Sequence, residues 1–336
     1  MKGLLHHKCV KLITLAIGLF TASQTFAQQE AMYSQYMFNT LAINPAYAGS
    51  RDVLSMSAML RYQWLGLDGA PSTQSFTIDM PIKNEKMGIG GAFYRDAIGV
   101  SSTVGGNAIF AYKVKLGART TMSLGLQGGV ENISSLLSNV ANIGLDPVFS
   151  ANNDINKMFP NAGAGIFISN DKGYLGVSVP KIIENKLSTY TLDGVDYSTS
   201  QKRHYFAMMG FVVGKGNVKI KPSTMLRYTA GTPLGIDGNI NIWLKEKIAF
   251  GISGRKSQAT LSGQEVLDAA VGMFELQLTP QLRMGYAYDF NQTSLNSFNN
   301  SNSSTTSKLT GTPTHEFLLR YEFGYGKNKI LTPRYF

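Results

Sequence analysis

Residues 282–290, LRMGYAYDF, alternate an apolar side (Leu282, Met284, Tyr286, Tyr288, Phe290) with Arg283, Gly285, Ala287 and Asp289. That spacing is the two-residue period of an extended strand. The same alternation recurs along most of the chain: Leu54, Met56, Ala58, Leu60 and Tyr62 oppose Ser55, Ser57, Arg61 and Gln63, and Phe317, Leu319, Tyr321 and Phe323 oppose Glu316, Arg320 and Glu322. About fourteen such segments are expected, centred near 58, 76, 91, 109, 126, 165, 177, 208, 223, 240, 251, 272, 285 and 320. The connections between them alternate in length. PIKNEK, LGAR, NDKG, GKGN, KEK and TPQ are short, whereas WLGLDGAPS, RDAIGVSS, the stretches 132–160, 181–202 and 256–264, and the Asn/Ser/Thr-rich 291–313 are longer. Short turns on one side and longer loops on the other are the habit of an outer-membrane barrel, in which apolar side chains meet lipid and polar ones a watery lumen.

Composition narrows the class. Charged residues make up 15%, against ~25% in an ordinary soluble domain. After residue 27 no apolar run approaches the ~20 residues of a membrane helix, so a membrane form must be a closed barrel. The expected fold is therefore all-β, a transmembrane antiparallel outer-membrane barrel of about 14 strands over residues 51–326, with a C-terminal periplasmic tail at 327–336. Residues 1–27 read as a cleaved signal peptide: Lys2, Lys8 and Lys11, then LITLAIGLF, then small residues before Gln28. Cys9, the only cysteine, falls inside it. The net charge of +10 drops to +7 without those three lysines, and no basic cluster with interleaved aromatics suggests nucleic acid.

Residues 28–50 do not alternate. Met32, Tyr33, Tyr36, Met37, Thr40 and Leu41 would share one side of a short helix ended by Asn44-Pro45, facing either the periplasm or the barrel interior as a plug. Tyr33, Tyr36, Met37, Phe38, Asn44, Pro45 and Tyr47 are its candidate partner or plug contacts. On the lumen side, Arg61, Arg227, Arg255, Arg283, Asp289, Arg320 and Glu322 mix both signs, as expected of cross-strand pairing in a filled or constricted lumen. The terminal Phe336 is a candidate assembly signal, and both termini are expected at the periplasmic side.

Candidate chemistry is sparse. After the signal only His204 and His315 remain, neither beside a serine or acid motif, so no catalytic site, metal site or cofactor is expected. Asp146 and Asp154 lack the spacing of a calcium loop and are read as surface residues. Gly88, Gly90 and Gly91 are not followed by a helix and suit a strand bend or a close approach to a plug.

SQYMFNTLAINPAYAGS at residues 34–50 resembles the opening signature of the PorP/SprF family of Bacteroidetes type IX secretion membrane proteins. WLGLDGAPSTQSFTIDMPI, DPVFSANN, FPNAGAGIF, KIKPSTMLRY, GISGRK, GYAYDF, HEFLLRYEFGY and TPRYF follow in order. The resemblance implies a non-enzymatic outer-membrane component of the type IX secretion system, helping export or surface anchoring of large proteins such as gliding adhesins. It further implies as partners the exported protein or its C-terminal sorting domain, periplasmic ring lipoproteins, an OmpA-like peptidoglycan-binding protein and outer-membrane lipid. The alternative is a transporter for hydrophobic compounds resembling the fatty-acid transporter superfamily, on the strength of the Asn-Pro-Ala segment and the strand number. A continuous apolar pocket reaching a lateral opening would mark that case.

Overall fold

The computed structural model describes residues 33–82, 85–136, 138, 154–192, 195–257, 269–291 and 313–323. Sixteen strands are present among them: β1 (Ser55–Tyr62), β2 (Ser72–Ile82), β3 (Met87–Ile98), β4 (Ser101–Lys115), β5 (Thr121–Ser135), β6 (Ile155–Ser169), β7 (Gly173–Val179), β8 (Lys186–Leu192), β9 (Val195–Ser200), β10 (His204–Phe211), β11 (Val218–Thr229), β12 (Gly235–Leu244), β13 (Ile248–Ser257), β14 (Ala269–Gln277), β15 (Leu282–Asn291) and β16 (Thr314–Glu322). Fourteen of them close into one antiparallel barrel, each paired with its chain neighbour except that β7 pairs with β10 and β1 with β16. The closing seam runs from Ser55 opposite Glu322 to Tyr62 opposite His315. Closure gives every wall strand a partner on both sides, as a span through lipid requires. Each of the fourteen expected segments falls on one barrel strand.

The wall is turned inside out relative to a water-soluble protein. Ile252 is 69% exposed, Leu126 63% and Phe290 55%, whereas Arg61 is 2% exposed, Asp237 1% and Glu316 0%. A continuous band of large apolar side chains facing outward requires an apolar surrounding. Two levels of outward aromatics border it: Tyr62, Tyr205, Tyr228 and Tyr288 near the long-loop end, Tyr112, Phe211 and Phe323 near the short-turn end. These are the girdles that place tyrosine and phenylalanine at the two membrane interfaces.

Two connections differ from expectation. The stretch RDAIGVSS is not a long loop, because the β3–β4 ladder continues to Ile98 opposite Ser101 and only Gly99 and Val100 turn the chain, with Gly99 at φ 55°. Within residues 181–202 the chain folds into the hairpin β8–β9, a two-stranded sheet outside the barrel wall. The signal peptide, the stretches 258–268 and 292–312, and the tail with Phe336 lie outside the described residues.

Candidate functional site

The lumen is occupied by the chain's own lead-in. Residues 36–47 form three single 3-10 turns, Tyr36–Phe38, Thr40–Ala42 and Pro45–Tyr47, rather than one amphipathic helix. The reason is enclosure: residues 34–40 and 43–49 are buried on every side, so no solvent face exists for a helix to turn outward. Asn39, at φ −130° and ψ 61°, breaks the turns, and its side-chain oxygen accepts from Thr77 Oγ1 at 2.9 Å. Asn44 caps the last turn through Oδ1, which accepts from Ala46 N at 2.9 Å, ahead of Pro45.

The upper attachment is ionic. Ser34 N and Gln35 N donate to the two carboxylate oxygens of Glu316 at 2.9 and 2.7 Å, and Ser34 Oγ donates to Asp289 at 2.8 Å. Arg61 clamps both acids, Nη1 to Glu316 at 2.8 Å and Nη2 to Asp289 at 2.7 Å. Behind them Arg255 Nε donates to Asp237 at 2.8 Å, with Arg227 Nε 3.1 Å from the other oxygen of Asp237. Three buried Arg side chains thus meet three buried carboxyl groups, and pairing of this kind offsets the cost of taking such groups out of water.

The middle attachments are uncharged hydrogen bonds, and the lower ones bring in charged side chains again. Asn44 Nδ2 donates to Ile166 O at 3.0 Å, Ser178 Oγ to Ile43 O at 2.9 Å, and Gly49 N to Asp79 Oδ2 at 2.7 Å; Lys113 Nζ donates to Gly49 O and Arg51 pairs with Glu322. Glycines of the wall make room for the segment. A Cβ at Gly125 would run into the backbone of Pro45 and Ala46, one at Gly88 into the Ala48 carbonyl, and one at Gly165 into the Asn44 side chain. Tyr36, Met37, Phe38, Leu41, Ala46 and Tyr47 complete an apolar core with inward-facing wall residues including Met59, Phe167, Met208, Met225, Trp243 and Leu318. Tyr47 meets Phe167 edge-on at 5.3 Å between ring centroids, and the buried Lys221 ammonium lies 5.3 Å from the Phe38 ring.

The structure brings most of the sequence-derived candidates together. Tyr36, Met37, Phe38, Asn44, Pro45 and Tyr47 are buried in the lumen and Tyr33 packs at its margin. Arg61, Arg227, Arg255 and Asp289 belong to the upper ionic cluster. Arg283, Arg320 and Glu322 sit lower, where Arg283 and Arg320 face each other directly across β15 and β16. Such a like-charge pairing is unfavourable unless compensated; Glu275 lies 3.7 Å from Arg283, whose guanidinium also stacks 4.7 Å over Trp243. Ser34, Gln35, Glu275 and the inward apolar residues were missed as lumen groups. Their signal was present in part, since Ser34 and Gln35 open the NPA-containing lead-in and Met59 and Leu318 hold lumen-facing parity. The lead-in also crosses the full height of the barrel: Ser34 is level with the long-loop ends of β1 and β16, and Gly49 with the short-turn end of β2. It therefore does not stay at the periplasmic side.

His204 and His315 take structural places. His204 Nδ1 is 3.0 Å from Lys202 O, and His315 Nδ1 shares a 2.8 Å hydrogen bond with Tyr286 Oη on the outward girdle. Asp154 caps residue 138, accepting from Ser138 N and Oγ at 2.9 and 2.8 Å.

The family model for the type IX secretion system membrane protein PorP/SprF matches residues 25–321, covering the lead-in and every barrel strand but the last residue of β16. The chain belongs to the PorP/SprF family. No curated protein matches this PorP/SprF chain. Among solved structures it is similar to the CymD monoaromatic hydrocarbon channel (8% identity, 89% of this chain and 95% of that one, TM-score 0.47) and to a Pseudomonas aeruginosa FadL homologue (13% identity, 86% and 94%, TM-score 0.45). It is also similar to the Acinetobacter baumannii outer membrane protein Omp33 (10% identity, 81% and 98%, TM-score 0.40). Likeness at that level carries no argument about cargo. The PorP/SprF assignment and the closed, inside-out wall together make this an outer-membrane barrel with a transport- or secretion-associated role.

Proposed function

We propose that this PorP/SprF chain is a non-enzymatic component of type IX secretion that helps export or anchor large surface proteins, gliding adhesins among them, in the outer membrane of a Bacteroidetes-like bacterium. It reaches that membrane through the signal peptide at residues 1–27. The observation that carries the reading is the filled lumen: a barrel crossed by its own lead-in, pinned at Glu316 and Asp289 above and at Asp79 below, is built to hold partners on its two faces rather than to pass solutes. The exported protein or its C-terminal sorting domain would meet the long-loop face. Ring lipoproteins and an OmpA-like peptidoglycan-binding protein would meet the short-turn face.

A transporter for hydrophobic compounds would need an apolar route along the lumen. The described lumen is instead interrupted by buried ion pairs, and the large apolar groove, about 690 Å³ between Ile78, Ile89, Phe93, Ala108 and Val130, is lined chiefly by outward-facing side chains of β2–β5. Deleting the gene in a gliding bacterium and assaying adhesins on intact cells tests the proposal. Surface display should disappear and return with the wild-type gene; undiminished display would sink the secretion role.

A further inference from the structure

The short-turn end of the barrel carries a one-sided charge. Apart from the pairs Arg51–Glu322, Lys113–Asp52 and Arg283–Glu275, its described hairpin turns and the strand residues bordering them hold eight cations, Lys86, Lys115, Arg119, Lys172, Lys215, Lys219, Lys245 and Lys247, against three acids, Glu85, Asp171 and Glu246. Arg119 faces Asp171 at 3.7 Å and Lys219 pairs with Glu246, which uses two of the acids. Lys86, Lys115, Lys172, Lys245 and Lys247 are exposed and have no acidic partner among the described residues. The long-loop end, by contrast, mixes both signs in pairs such as Arg203 with Glu184 and Lys181 with Glu131.

Strand parity says which way this charge is presented. Lys86 O accepts from Lys113 N, opposite a lumen-facing residue of β4, and Lys115 lies two residues further along the same face. Lys245 follows Trp243, and Lys247 precedes Ala249, both inward and buried at 1%. Lys172 stands two residues before the inward Tyr174. Lys86, Lys115 and Lys247 hold register positions that continue the lumen side of the wall, while Lys172 and Lys245 stand in the turns themselves, Lys245 at φ 48°. Lipid headgroups encircle a barrel from outside, so a ring kept for lipid phosphates would occupy the opposite parity.

We propose that this lysine ring, from β3 round to β13, is a docking surface for a periplasmic protein presenting a cluster of Asp and Glu side chains. The proposal deepens the secretion reading by giving the chemistry of one partner, yet it depends only on the barrel and its orientation. Attraction of this kind acts over the Debye length, which shrinks from ~30 Å at 0.01 M salt to ~8 Å at 0.15 M, so docking is steered by charge and weakened by salt.

The test uses the full chain in phosphatidylcholine nanodiscs with poly-L-glutamate as the probe, read by fluorescence anisotropy. Wild type should bind, with affinity falling as salt rises. The variant combining Lys86→Gln, Lys115→Gln, Lys172→Gln, Lys245→Gln and Lys247→Gln should bind about tenfold more weakly or worse, while Lys157→Gln with Lys186→Gln at the long-loop end should bind as wild type. Circular dichroism first establishes that both variants keep the folded barrel. Equal affinity of the five-lysine variant and wild type, or an equal loss in the long-loop variant, overturns the proposal. A parallel series in nanodiscs that mix phosphatidylcholine with phosphatidylglycerol reads lipid enrichment around the barrel; unchanged poly-L-glutamate binding by the five-lysine variant together with reduced phosphatidylglycerol enrichment also overturns the proposal. A loss of adhesin display with normal probe binding would bear on the export reading alone.

Discussion

Glu316 has no exposed surface, and its carboxylate is shared between two backbone N–H groups of the lead-in and the guanidinium of Arg61. Removing its charge would leave Arg61 with Asp289 alone and weaken the grip on Ser34 and Gln35. Breaking one member of a buried charge group costs about 3–5 kcal/mol. Glu316→Gln is therefore expected to lower the unfolding free energy of the detergent-folded barrel, measured by urea titration, by an amount in that range; a free energy within error of wild type would show that the cluster contributes nothing. A matched pair of glycines on β5 separates plug contact from strand effects. Gly125→Ala drives a Cβ into the backbone of Pro45 and Ala46, whereas a Cβ at Gly128 meets nothing within 4 Å. The first should cost about 1–3 kcal/mol and open residues 33–50 to protease; the second should stay within about 0.5 kcal/mol of wild type. Equal protease resistance in the two variants would contradict the close packing of plug and wall.

At the scale of elements, the hairpin β8–β9 stands apart from the wall, because β7 and β10 pair directly from Phe206 opposite Ser178 to Phe211 opposite Gly173. Lys186 and Ser200 are partners at its base. Replacing residues 187–199 by Asn-Gly, a dipeptide suited to a two-residue hairpin turn, should leave the urea midpoint of the barrel unchanged, while failure to fold would make the hairpin part of the wall. The barrel strands were legible because lipid on one side and a packed lumen on the other impose a period of two on each of them. The hairpin was not, since it belongs to neither surface. The β3–β4 connection misled for a related reason: above the lipid band the ladder continues through Asp96, Ser101 and Thr103, and polar residues at that height read as loop. There the Thr73 hydroxyl bonds Asp96 Oδ1, so the ladder is backed by side chains.

For the molecule as a whole, the lead-in decides what kind of barrel this is. Its aromatic content signalled a need for burial, but a one-sided helix was the wrong form, because a segment surrounded by wall has no polar side to show. The charged residues of the lumen were legible as mixed-sign pairs. The apolar half of the lumen was not, since Met59, Phe167, Met208, Trp243 and Leu318 are scattered among polar neighbours of the same parity and acquire meaning only when Phe38, Leu41 and Tyr47 are laid against them. Together the two halves make a seal, with buried ionic groups at both ends and a close-packed apolar middle. Electrical recording of the purified full chain in planar lipid bilayers tests that seal most directly. A barrel filled by residues 34–50 should insert without producing stable ion-conducting steps. Sustained open-pore steps from the wild-type chain would contradict the filled lumen and the holding role built on it.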